Sequence, residues 1–116
     1  MDLSTIVQKQ IEADERRGFT VKFSSNTAAE EQLTRDTVGL MGEVGEFANL
    51  LKKVSLSLRT EGYVGPSLNE ASQELREELA DAAIYIIRLS AILGGNLEDD
   101  ILAKMEVNDA RYRDLE

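Results

Sequence analysis

The sequence predicts an all-α protein built as a four-helix bundle, and three observations carry that prediction. Apolar residues recur at helical spacing along most of the 116 residues, there is a single proline, and aromatic residues make up only 5% of the chain. A sandwich or barrel draws on more aromatic and turn-forming residues than this. Helix start and stop signals then divide the chain into four segments.

The first helix is expected from about Ser4 to Arg17, with an apolar stripe of Leu3, Ile6, Val7 and Gln10/Ile11 and a stop at Gly18. Phe19 to Ala29 reads as a loop, with Ser24, Ser25, Asn26 and Thr27 as turn or cap residues. The second helix spans roughly Glu30 to Leu51, or slightly beyond, on the spacing of Leu33, Thr37, Leu40, Val44, Phe47, Ala48 and Leu51. Ser55 to Pro66 could extend that helix briefly, but Gly62, Gly65 and Pro66 favour a mobile connection. Ser67 with Glu70 three residues on forms a capping box for a third helix, which runs to about Leu93 and stops at Gly94-Gly95. Asn96 caps a fourth helix reaching Arg111 or Arg113. Short connections favour a bundle, and the length suits a single domain, residues 1–116.

Composition narrows the chemistry. There is no cysteine and no histidine, which removes disulfides, thiolate chemistry, Ser-His-Asp triads and histidine-ligated zinc or di-iron. A net charge of -9 argues against binding a phosphate backbone as the main role. It suits a site where a cation bridges acidic protein and anionic ligand. No apolar run reaches the ~20 residues of a membrane span and no signal pattern opens the chain, so a cytoplasmic protein is expected.

Two matched motifs stand out: Leu40-x-x-Glu43-Val44-x-Glu46-Phe47-Ala48 and Leu75-x-x-Glu78-Leu79-x-Asp81-Ala82-Ala83. Each places two carboxylates at i and i+3 beside the same apolar pattern. Spacing alone decides little among 22 acidic residues, because Glu12/Glu15, Glu74/Glu77 and Glu106/Asp109 share it. Phase against the core separates the two motifs from these. The second helix should bury a stripe of Leu40, Val44, Phe47 and Leu51, and the third a stripe of Leu75, Leu79, Ala82 and Ile86. That places Glu43, Glu46, Glu78 and Asp81 on the stripe edges, where antiparallel packing can bring them together. Carboxylates at a core margin are costly unless something offsets their repulsion, and a cation does so. All-oxygen ligation on stiff helices, with no calcium loop, points to Mg²⁺ with Mn²⁺ as an alternative. Such an ion is shared with substrate phosphates, and one carboxylate can serve as general base for an attacking water.

Gly39, Gly42 and Gly45 recur every third residue of the same helix. Each costs about 1 kcal/mol relative to alanine. The two readings are close helix packing and room for a metal with phosphates.

Gly42-Glu43-Val44-Gly45-Glu46, Glu78-Leu79-Ala80-Asp81 followed by Tyr85, and Lys104-x-x-x-Asn108 together resemble the MazG-like all-alpha nucleoside triphosphate pyrophosphohydrolases over roughly Leu33 to Tyr112. The resemblance implies hydrolysis of a nucleoside triphosphate to the monophosphate and diphosphate. It implies Glu43, Glu46, Glu78 and Asp81 as Mg²⁺ ligands, and Tyr85, Lys104 and Asn108 facing the nucleotide. It also implies a homodimer or homotetramer with sites near the subunit interface. Two departures are visible: many relatives carry a glutamate where Gly42 stands, and the stretch from Glu46 to Glu78 is long. The latter makes Ser55–Pro66 a candidate lid or specificity element, or a tolerated insertion.

Lys52, Lys53 and Arg111 could meet phosphates, although surface charge is the simpler reading, and Phe19 and Phe23 could stack a base or cap the core edge. Ile84, Ile87 and Ala91 give the third helix a second apolar face suited to a subunit interface. Phosphoribosyl-ATP pyrophosphohydrolases are the nearest alternative enzyme. A non-catalytic acidic helical interaction module is the alternative of another class, and a di-iron bundle suffers from the lack of histidine.

Overall fold

A computed structural model describes all 116 residues, Met1–Glu116. It is entirely helical: α1 (Leu3–Arg16), α2 (Asn26–Arg59), α3 (Leu68–Ile92), α4 (Leu97–Arg111) and a terminal 3₁₀ turn (Arg113–Leu115). The four helices and their order follow the sequence expectation, and so do most of their ends. Gly18 (φ 82) follows α1, Gly94 (φ 75) follows α3, and both use the left-handed backbone open to glycine. The Ser67 hydroxyl accepts from the Glu70 N–H at 3.1 Å and the Glu70 carboxylate reaches back to the Ser67 N–H at 3.4 Å, completing the capping box. Asn96 accepts from the Asp99 N–H at 3.1 Å.

Helix α2 is much longer than its sequence pattern indicated. It begins at Asn26, inside the expected loop, because Ser25 caps it by accepting from the Ala28 N–H at 3.1 Å. It also continues through the expected mobile connection to Arg59. Ser55 and Ser57 look like breakers, but they sit beside Val54, which is only 2% exposed and fixes this turn in the core. The Ser57 hydroxyl then donates to the Gly65 carbonyl at 3.1 Å, tethering the short loop that remains.

The residues group into two compact units, Glu31–Ile86 and Met1–Glu30 with Ile87–Glu116. In the first, α2 and α3 run antiparallel. Val54 packs with Ala71 and Leu75, with Phe47 and Leu50 against them, while at the other end Gly39 lies against Tyr85. The inward residues are Asp36, Leu40, Glu43, Phe47, Leu50 and Val54 on α2, and Ala71, Leu75, Glu78, Ala82 and Tyr85 on α3, all buried or half-buried. They alternate three and four apart, as in a helix-pair seam.

That seam corrects the expected phase. Val44 (45% exposed), Leu51 (39%), Leu79 (54%) and Ile86 (42%) were placed in the buried stripes but face outward. The rotation is about one residue, and it moves Glu43 and Glu78 from the stripe edges into the seam itself. Apolar residues on both sides of each helix made the phase ambiguous.

In the second unit, α1 packs on α4, and the Ser4 hydroxyl donates to the Glu98 carboxylate at 2.8 Å. Arg88 donates to the Asp14 carboxylate and to the Phe19 carbonyl, both at 3.0 Å, and both charged residues are buried. Val21 and Ile87 are its buried apolar residues. No helix of the protein is long and apolar enough to cross a membrane.

Candidate metal centre

Between Leu40 and Val54 the α2 side of the seam is apolar except at Glu43, which meets Glu78 of α3. Glu43 and Glu78 occupy inward positions one turn from Phe47 and Ala82, and Glu46 stands beside them at the exposed edge. One carboxylate oxygen from each of the three lies within 4.8 Å of the others. Glu43 Oε2 and Glu78 Oε2 are buried without a hydrogen-bond partner. Nearly every buried polar atom in a protein is paired, so two orphans in one cluster call for a missing counterpart. No Lys or Arg supplies it, since neither oxygen has a hydrogen-bond partner of any kind.

The electrostatics agree. The carboxyl of Glu78 is pushed up to about 7, first by sharing a hydrogen bond with Glu43, then with Glu46, then by desolvation. Like charges crowded this closely cannot all ionise easily. Oxygens bound to one divalent cation at ~2.0–2.6 Å fall within about 5 Å of each other, and these three satisfy that limit. The donor set is oxygen alone, which fits a hard cation and offers nothing to a soft one. The cluster can therefore bind a metal ion.

The other expected site residues are placed as follows. Asp81 is exposed and outside the three-carboxylate group. Tyr85 is half-buried, its ring lying directly over the α2 backbone at Gly39. Lys104 is exposed on α4 and Asn108 half-buried on the same helix, both in the other compact unit. Of the glycine series only Gly39 makes a close approach, and a side chain at Gly42 or Gly45 would meet nothing within 4 Å. Phe19 is exposed, while Phe23 is half-buried and lines an open cavity with Ser24, Ser25 and Ile92. Arg111 lies 5.0 Å over the Tyr112 ring.

The cluster also borders something that spacing did not single out. An open groove of about 200 Å³ runs from Glu46 and Glu78 along Asn49, Leu50, Lys53 and Glu74. Glu74 has only the i, i+3 spacing common to many acidic pairs of the chain, and Asn49 belongs to no motif. The available signal was that Glu46, Asn49, Leu50 and Lys53 are i, i+3, i+4 and i+7 on one helix face.

No family model matches the chain, and no solved structure matches it. Curated proteins do. Human dCTP pyrophosphatase 1 (Homo sapiens) is 38% identical over 78 residues, covering 65% of this chain and 42% of that protein. The rat protein of the same name (Rattus norvegicus) is 32% identical over 77 residues, again 65% of this chain and 42% of that protein. The bovine one (Bos taurus) is 34% identical over 77 residues, 65% of this chain and 43% of that protein. The chain thus spans less than half the length of the curated relatives it is similar to.

Proposed function

We propose that this chain is a Mg²⁺-dependent nucleotide pyrophosphohydrolase that converts a nucleoside triphosphate to the monophosphate and diphosphate. The observation that carries the proposal is the pair of orphaned oxygens, Glu43 Oε2 and Glu78 Oε2, in a three-carboxylate cluster. The similarity to proteins named for splitting diphosphate from a nucleotide supports it.

In this reading Glu43, Glu46 and Glu78 hold the ion, with Asp81 adding a carboxylate from the next turn. Bound Mg²⁺ supplies charge neutralisation at the phosphoryl oxygens and makes a nearby water more acidic; Mn²⁺ can substitute. The helices hold the carboxylates at fixed separations, so little reorganisation accompanies binding. Water adds to the α-phosphorus, the bond from that phosphorus to the bridging oxygen of the diphosphate breaks, and a carboxylate of the cluster accepts the proton of the water. Tyr85, Lys104 and Asn108 enter as nucleotide contacts on the family resemblance.

A homodimer, or a pair of dimers, completes the reading. Outside the seam, Met41, Val44, Ala48 and Leu51 on α2 and Leu79, Ala83 and Ile86 on α3 form exposed apolar rows with the same three-four spacing. No large side chain of the single chain is fully buried. A second copy laid on these rows gives so small a protein the core it lacks.

The test is diphosphate release from a panel of ribo- and deoxynucleoside triphosphates, dCTP first, with Mg²⁺ or Mn²⁺. Release that is lost with Glu46→Ala and with Glu78→Gln is expected. No release from any nucleotide with either ion overturns the proposal. Thermal melts supply an independent readout, because an ion that binds only the folded state raises the melting temperature.

A further inference from the structure

We propose that the groove lined by Asn49, Leu50, Lys53 and Glu74 receives the nucleoside end of the substrate, and that Asn49 sets which nucleobase is accepted. This rests on the hydrolase reading above and deepens it. The groove begins at Glu46 and Glu78, two of the three clustered carboxylates, and runs one way along both helices. On α2 it climbs from Glu46 to Lys53, about 10 Å at the rise of an α-helix. On antiparallel α3 it passes from Glu78 to Glu74. A nucleotide whose phosphates engage a cation at the cluster has its sugar and base to place, and this groove leads away from that point.

The lining chemistry identifies which part of the nucleotide it suits. A phosphate chain would lie beside Glu46 and Glu74, two carboxylates against one lysine. That favours a neutral occupant. Leu50 is half-buried and gives an apolar wall for a ring face. Asn49 is exposed on the rim and carries an adjacent donor and acceptor, the pattern that pairs with the edge of a base. Lys53 adds donors and Glu74 acceptors on either side, and neither is spent in an ion pair within the protein. At about 200 Å³ the groove is smaller than a complete ligand pocket of ~300 Å³ or more, so it takes a part of the molecule. Its far end is fixed: Gly65 of the tethered loop lies against the Lys53 carbonyl, where an added Cβ would stand at 3.4 Å.

The experiment is steady-state kinetics of the full chain and of Asn49→Ala and Lys53→Met, over the four common deoxynucleoside triphosphates with Mg²⁺. Inhibition by inorganic diphosphate, which has no nucleoside, is measured alongside. Both residues are exposed, and retention of the Mg²⁺-induced rise in melting temperature confirms that each variant folds with its cluster intact. The expected result is that the ratio of kcat/KM between the best and worst nucleotide changes on the order of tenfold in Asn49→Ala, chiefly through KM, as losing a bidentate base contact does. Inhibition by diphosphate is expected to be unaltered. Unchanged nucleotide ranking in both variants overturns the inference. So does weakened diphosphate inhibition in step with nucleotide affinity, since the groove then holds phosphate. If the unsubstituted chain releases no diphosphate from any nucleotide, the hydrolase reading itself fails and this inference with it.

Discussion

Glu43 and Glu78 face each other across the α2–α3 seam, each with one carboxylate oxygen buried and without a partner. In the metal-free protein this is a repulsive contact inside a packing surface, so neutralising either member should relieve it. Glu43→Gln and Glu78→Gln are each expected to raise the melting temperature in EDTA at pH 8 and to abolish the increase that Mg²⁺ produces in the parent. Asp81→Asn should do less of both, because Asp81 is exposed and outside the cluster. Differential scanning fluorimetry with and without Mg²⁺ reads all three. A destabilised Glu78→Gln that still responds to Mg²⁺ would show that the contact is not a cation site.

The same contact gives the metal-free protein an unusual pH dependence. Glu78 titrates near 7, raised from its ordinary 4.5 by its hydrogen bonds with Glu43 and Glu46 and by desolvation. The folded state therefore holds a proton that the unfolded state has released between these values. The contribution is fully present below about pH 4.5 and is lost as pH rises through about 7. Stability in EDTA should fall across that window, and the slope should vanish in Glu78→Gln. With protons and Mg²⁺ competing for one cluster, apparent Mg²⁺ affinity should rise over the same range. Urea titrations at several pH values, paired with calorimetric Mg²⁺ titrations, measure the two trends.

The helical class, most of the helix ends and the three clustered glutamates were legible in the sequence because each rests on local chemistry. Ser67-x-x-Glu70, Asn96 and the glycines after α1 and α3 act within a few residues of themselves. The extent of α2 was not legible, since Val54 overrides the low helix propensity of Ser55 and Ser57 only through packing on Ala71 and Leu75. Helix phase was obscured for a related reason. With apolar rows on two sides of α2 and α3, the periodicity cannot say which row meets the neighbouring helix, and only the seam shows that Glu43 rather than Val44 points inward. The groove at Asn49 was not legible because its members are spread over two helices and only Glu46 and Glu78 among them belong to the acidic motifs.

Gly39 and Tyr85 form a close approach of the two helices. A methyl group at Gly39 would overlap the Tyr85 ring, whereas at Gly42 or Gly45 it would meet nothing. Gly39→Ala should therefore be destabilising, by about 1–3 kcal/mol as overpacking is, reduced by the helix preference of alanine. The cost should shrink in the Tyr85→Ala background, a coupling that a double-mutant cycle isolates. Gly42→Ala and Gly45→Ala should gain up to about 1 kcal/mol in the single chain. Chemical denaturation of these variants separates the close-packing glycine from the two that stand free.

The Asp14–Arg88 pair should behave as a buried ion pair. Asp14 also accepts from Gln10 at 3.0 Å, and Arg88 spends a second bond on the Phe19 carbonyl. Asp14→Ala takes a carboxylate away from a buried guanidinium and is expected to cost roughly 3–5 kcal/mol. Replacing both residues with apolar ones of similar size should cost much less than the sum of the single changes. Equilibrium denaturation of the two single variants and the double variant measures this.

The exposed rows on α2 and α3 lead to an expectation about assembly. Val44 lies inside the α2 row and Leu79 begins the α3 row, 45% and 54% exposed in the single chain. A second copy that covers the rows buries both, and a stable pairing needs on the order of 1,000 Å² of contact, more than one row alone offers. A glutamate at either position would then be desolvated without a partner and should break the assembly. Light scattering coupled to size exclusion should give at least twice the 12.9 kDa of one chain for the parent, and lower mass for Val44→Glu and Leu79→Glu. Val64→Glu provides the control, because Val64 is 95% exposed on the loop and outside both rows. Its mass should equal that of the parent. The melting temperature of the parent should also rise with protein concentration, since association stabilises by mass action, while those of Val44→Glu and Leu79→Glu should not. A parent that runs as one chain at all concentrations would leave the rows without this partner.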